Sequence, residues 1–170
     1  MKKCWLCGKV HGYSRREAFR IHAAAPAKLR RLVKGLTRAQ LRRRPSPRKW
    51  SISEIALHLT DVEITFGFRL RKIIAEPGGL IAPMDQERWA DGLRYREQEL
   101  RLALDTFAAL RKSNLALFAR LSNKQWRQWA RHPEYPRLRY PLEPVFIHLA
   151  SHDLNHLGQI AALRRRWRGR

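Results

Sequence analysis

The residues best suited to chemistry fall in Ile147-His148-Leu149-Ala150-Ser151-His152-Asp153-Leu154-Asn155-His156, where three imidazoles recur at four-residue steps. On a helix, His152 and His156 stand one turn apart and can grip a single ion. His148 extends the same row by another turn. One helix comfortably offers only two imidazoles to one metal, so a third ligand must come from elsewhere. His58 is the best candidate, because it lies within the apolar run Ile52–Ala75, where an imidazole without a partner is costly to bury. Three facial imidazoles would leave positions open for water or substrate, as catalytic zinc, nickel and iron centres do. The same spacing also arises from plain packing or from a surface row, and spacing does not separate these readings. The run is not HExxH, since Asp153 stands where a metalloprotease has Glu. No pair of Glu-x-x-His helices points to a di-iron site either.

Neighbouring polar residues have two readings each. Asp61 follows His58 by three residues and could orient its imidazole or approach the ion; otherwise it is a charge facing water. Gln159 follows His156 by three and could act likewise, or bond to any polar neighbour. Asp153 and Asp61 are the carboxylate candidates for proton transfer, although Asp153 points about 100° away from His152 around the helix. His148 reads as a buried, hydrogen-bonded neighbour of the site, and His132 as part of a Pro-rich loop. A second constellation, Cys4-Trp5-Leu6-Cys7-Gly8, has half of a zinc knuckle, with His11 and His22 as the nearest further ligands. Its C-x2-C-x3-H-x10-H spacing matches no established site, and a reduced thiol pair is the plainer reading.

Helices must position these groups. Phe19, His22, Leu29, Leu32 and Val33 share one face of a segment from about Ser14 to Lys34, within which Pro26 is expected to kink or interrupt the helix. Thr37-Arg38-Ala39-Gln40 reads as a capping box opening a short helix to about Arg43. Ser51-Ile52-Ser53-Glu54 is a second box, starting a helix over Ile52–Ala75 that Pro77-Gly78-Gly79 ends. A connection of some 17 residues, Glu76 to Gly92, with a helical turn near Gln86–Ala90, is long enough to cross a bundle and leave its flanking helices parallel. A helix from about Tyr95 to Leu121 follows. Ser122–Pro141 reads as irregular, without a strand, and a last helix starts near Leu142 and ends in the arginine tail. The expected fold is all-α, a four-helix bundle with one or two long connections.

Composition bounds the rest. With 170 residues, 44% of them apolar, the chain can bury one real core. No apolar run reaches the ~20 residues of a membrane span, and the amino terminus lacks the apolar stretch of a secretory signal, so the expectation is a cytoplasmic protein. Lys and Arg number 36 against 14 Asp and Glu, a formal charge of +22. The first fifty residues hold sixteen of the cations and a single acid, Glu17. Such asymmetry attracts polyanions, and binding of nucleic acid or another polyanion through this third and the arginine tail, with any metal only structural, is the alternative function. No nucleic-acid-binding motif accompanies it.

Two segments resemble a known family. Lys49-Trp50-Ser51-Ile52-Ser53-Glu54-Ile55-Ala56-Leu57-His58-Leu59 resembles the second-helix motif of the DinB-like (DinB/YfiT) superfamily, and His152-Asp153-Leu154-Asn155-His156-Leu157-Gly158-Gln159-Ile160 its fourth. Phe107–Arg111 and Arg131–Tyr135 are also similar to that group, so the likeness spans roughly residues 16–166. The resemblance implies a left-handed bundle of up-down-down-up topology over residues 15–168, behind a 1–14 CxxC extension. It further implies a divalent metal (zinc, nickel or iron) on His58, His152 and His156. Members of known activity are mostly metal-dependent transferases or isomerases that use low-molecular-weight thiols, so a thiol cosubstrate, a small-molecule substrate and a hydrolytic variant are the expectations that follow; a homodimer is a separate expectation. A metal with open positions lowers the pKa of a bound thiol and presents a thiolate.

Overall fold

The computed structural model describes residues 12–168; Cys4, Cys7 and His11, and with them most of the amino-terminal extension, lie outside the described residues. Four long helices carry the fold: α1 (Arg15–Val33), α3 (Ile52–Ala75), α5 (Leu100–Phe118) and α7 (Leu142–Arg168). Short helices α2 (Arg38–Arg42), α4 (Gln86–Gly92) and α6 (Asn123–Trp126) sit in the connections. Local chemistry sets four of these starts. Ser14 with Glu17, Thr37 with Gln40, Ser51 with Glu54, and Ser122 with Gln125 each form the reciprocal capping box that satisfies the free amides of a first turn.

Cross-links between helices give their directions. Along α1 and α7, Arg15 meets Glu143, His22 meets Asp153, and Arg164 reaches the carbonyl of Leu32, so the two run parallel. Along α3 and α5, Thr60 bonds to the carbonyl of Ala103 and Glu63 meets Arg111, again parallel. Along α1 and α5 the order reverses, from Arg30 with Asp105 to His22 with Arg111, and Arg15 reaches Asn123 just past the end of α5. The bundle is therefore up-down-down-up, and the connection over 76–99 crosses its length.

Polar residues cut the core into two layers. One apolar cluster gathers Val62, Leu70, Phe118, Trp126, Tyr140 and Phe146. The other gathers Leu29, Ile52, Leu59, Phe107, Leu157 and Trp167. Between them lie His22, Glu63, Arg111, Asn114 and Asp153, all buried. Arg111 donates to Glu63 at 2.7 Å and to Asp153 at 2.6 Å, so these buried charges are paired.

Three expectations are corrected. Pro26 does not interrupt α1, which runs through it. Proline's missing N–H frees the carbonyl four residues back, that of His22, and Arg111 Nη1 donates to it at 3.1 Å. The third core helix starts at Leu100 rather than near Tyr95, because Arg94 takes a left-handed conformation (φ 53°) and Tyr95 packs inward against Leu57, Ala90 and Ala103. The stretch expected to be irregular contains an antiparallel hairpin, β1 (Trp129–His132) and β2 (Tyr135–Pro141). Two strands alone are marginal in water. Here the chain after α3 lies along β1, with Gly78 N bonded to Trp129 O at 2.7 Å and Ile81 N to Arg131 O at 3.0 Å, while Ala130 and Tyr140 enter the core.

Gly67 shows how tightly α3 meets α5. A Cβ there would lie 2.7 Å from Asn114 Nδ2, which is itself held by Glu63 at 2.6 Å. Gly67→Ala should therefore destabilise by about 1–2 kcal/mol, although alanine is the better helix former by up to ~1 kcal/mol. Urea unfolding measures it, and a stabilised variant would show that Asn114 yields.

Candidate metal centre

The capping box at Ser51 starts α3 so that His58 falls on its inward face, opposite the second half of α7. There the i, i+4 spacing stacks His152 and His156. The three rings converge: His152 Nε2 lies 3.2 Å from His58 Nε2 and 3.2 Å from His156 Nε2. Nitrogens bound to one ion at 2.0–2.1 Å stand roughly 3.0–3.4 Å apart, so this spacing suits a shared cation. Among the described residues, this trio is the one group of three or more metal-ligating side chains close enough to hold an ion.

Burial keeps the rings neutral, with lone pairs available. It pushes His58 down to about 3, with the His156 ring adding to the effect, and pushes His152 well below the usual imidazole range. His156 is lowered by burial too, against the opposing bond to Gln159. That bond, His156 Nδ1 donating to Gln159 Oε1 at 3.0 Å, leaves the lone pair on Nε2, the atom facing the other two rings. With Nδ1 also protonated on His58 and His152, where it is buried without a partner, three lone pairs face one point and repel unless a cation sits between them. The donor set therefore fits a metal. Trp50, which sequence reasoning passed over as a site residue, tilts against the His58 ring at 4.8 Å between centroids and shields it. Its signal was its place just before the Ser51 cap, where an apolar residue commonly packs back onto the first turns of a helix.

The metal-free protein should accordingly lose stability in mild acid. Unfolded histidines take up protons near pH 6.5, whereas folded His58 does so only near 3. Stability is thus complete above the unfolded value and is lost as pH falls below it. The melting temperature should drop steadily from pH 7 to pH 5, and His58→Gln should flatten the slope by up to ~1.4 kcal/mol per pH unit. An identical slope in the variant would refute the burial argument.

The other candidates are placed elsewhere. Asp153 does not face the trio: burial alone would raise its carboxyl, but Arg111 and His22 overcome that and hold it well below the usual carboxylate range. Its oxygens are engaged by Arg111 and by His22 Nδ1 at 2.9 Å. Asp61 accepts a hydrogen bond from the Tyr95 hydroxyl rather than from His58, and burial raises its carboxyl against that bond. Both ring nitrogens of His22 are engaged: Nδ1 meets Asp153 and Nε2 donates to the Phe146 carbonyl at 3.0 Å. His148 is half-buried one turn before His152 and outside the trio. His132 is buried in the hairpin, stacked on Tyr140. No described helix is long and apolar enough to cross a membrane.

Comparison with known proteins places the chain in a family. The DinB superfamily profile matches residues 22–160. The "Putative metal-dependent hydrolase YfiT" of Bacillus subtilis (strain 168) is 24% identical over 141 residues, covering 83% of this chain and 79% of its own. A like-named protein of Geobacillus kaustophilus (strain HTA426) is 25% identical over the same shares of both chains. The solved structure of the Bacillus subtilis protein, described as a probable metal-dependent hydrolase with an unusual four-helix bundle topology, superposes with a TM-score of 0.85. It covers 98% of each chain at 21% identity.

Proposed function

The chain belongs to the DinB superfamily, and on that premise we propose that it is a metal-dependent enzyme whose divalent ion sits on His58, His152 and His156. The observation that carries the reading is the convergence of three imidazoles from two helices, with His152 Nε2 3.2 Å from Nε2 of each of the other two. Zinc, nickel and iron all suit three imidazoles with further positions open. Bound there, the ion supplies a nucleophile at neutral pH by lowering the pKa of a coordinated water or thiol. The chain contributes the rest: Gln159 fixes the tautomer of His156, Trp50 excludes water from His58, and no described carboxylate stands within the ligand cluster.

Hydrolysis is the reaction the named relatives favour. Transfer to a low-molecular-weight thiol uses the same open positions and is the second reading. Both require the metal. Protein purified without a histidine tag should carry about one equivalent of a divalent ion. A panel of activated esters, amides and thiol-plus-electrophile pairs should show turnover that chelation abolishes and zinc or nickel restores. Turnover that survives chelation would refute the proposal. Thiol-dependent product without water-dependent product would assign the transferase reading over the hydrolase.

A further inference from the structure

A cleft of about 470 Å³ opens onto His156 and Gln159, within the size range of small-molecule sites. Trp50, Ala162 and Leu163 give it an apolar wall, and Arg48 and Lys49 line its mouth. These two cations are exposed and make no ion pair among the described residues. Their neighbour Arg44, by contrast, is used up: its guanidinium grips Glu54 and the Pro47 carbonyl. Glu87, from α4, is the one carboxylate in the lining.

The surroundings reinforce the sign. Because α1 and α7 run parallel, their carboxyl ends meet at the pole where the cleft lies, and α2 joins them there. Lys34, Arg38, Arg43, Arg165 and Arg166 are all exposed on those elements, and no acidic residue occurs between Glu17 and Glu54. Such a pole raises the local concentration of anions and steers them toward the opening. An apolar wall next to unpaired cations selects a molecule with both characters.

We propose that the cleft takes an amphipathic oxyanion, a small molecule whose apolar body packs against Trp50 and whose carboxylate or phosphate is held by Arg48 and Lys49. This identifies the substrate class of the site above and rests on the metal-centre reading only for the chemistry that follows binding. Positioned so, the ligand presents its remaining groups toward His156.

The test compares three ligands sharing one ring system, 2-naphthoate, 2-naphthyl phosphate and the neutral 2-naphthamide, titrated calorimetrically into the full-length protein with and without chelation. At least one oxyanion should bind about fivefold to tenfold tighter than the amide, and the tighter of the two distinguishes carboxylate from phosphate. Arg48→Gln with Lys49→Gln should bring the ligands within about twofold while metal content stays unchanged, and Glu87→Gln should strengthen the preference. Arg48→Lys with Lys49→Arg should retain it, which controls for folding. Equal binding by the native protein, no binding of any ligand, or a preference that survives the double glutamine variant would each overturn the proposal. A preference that vanishes on chelation would overturn it too, by placing the oxyanion on the metal. Protein that holds no metal yet keeps the preference would sink the metal-centre reading and leave this one standing.

Discussion

His152→Ala is expected to cut bound metal from near one equivalent to below about a tenth, the largest loss of any single substitution in the chain. The geometry ranks the ligands. His152 is the shared vertex, its Nε2 standing 3.2 Å from each of the other two nitrogens, so its removal leaves two imidazoles from different helices with no common neighbour. His58→Ala removes the only ligand from α3 and should come close to the same loss, leaving just the i, i+4 pair on α7. His148→Ala, one turn away on α7 and outside the trio, should retain nearly all the metal. Gln159→Leu should fall between, weakening affinity by about tenfold or more, because the tautomer of His156 is no longer fixed. Elemental analysis of protein purified without a tag, with folding checked by circular dichroism, decides the order. Metal retained at stoichiometry by the folded His152→Ala protein would remove the centre.

How much of this was readable beforehand depends on the range of the forces involved. Ser51 and Glu54 close their capping box within one turn, so the start of α3, and with it the inward face of His58, follows from four adjacent residues. The stacking of His152 on His156 is equally local. Bundle topology was accessible for a related reason, since a long connection between two helical periods permits parallel neighbours. The hairpin was not readable, because β1 is held by the backbone of Gly78 and Ile81, some fifty residues earlier, rather than by its own propensity. Asp153 illustrates the limit most clearly. Its sequence position beside His152 suggested catalysis, while its actual partners, His22 and Arg111, lie 131 and 42 residues away. Asp61 was misdirected likewise: Tyr95 reaches it only because the chain turns back at Arg94.

The role of Asp153 leads to the second large effect, in folding. Arg111 is 4% exposed and is the sole described cation bonded to both Asp153 and Glu63 in the layer between the two apolar clusters. Arg111→Met preserves much of the side-chain volume but takes the cation away from two buried carboxylates, leaving Asp153 with His22 and Glu63 with Asn114, and should cost about 3–5 kcal/mol in urea unfolding. The cost comes from abandoned partners rather than from any intrinsic benefit of the arginine. Arg111→Met combined with Asp153→Asn and Glu63→Gln should therefore recover a substantial part of the loss. The bond to the His22 carbonyl supplies a sharper check, because that carbonyl is free only on account of Pro26. In the native background Pro26→Ala relieves the ring's clash but gives the helix a second donor to an oxygen already satisfied, so its gain is that of helix propensity alone. In the Arg111→Met background the restored N–H at position 26 becomes the carbonyl's donor in place of Arg111 and should add about 1 kcal/mol beyond that gain. The double-mutant cycle isolates that coupling. Additive effects would mean that Arg111 does not compensate for the proline, and an Arg111→Met protein within about 1 kcal/mol of native would mean that the layer does not depend on its charge pairing.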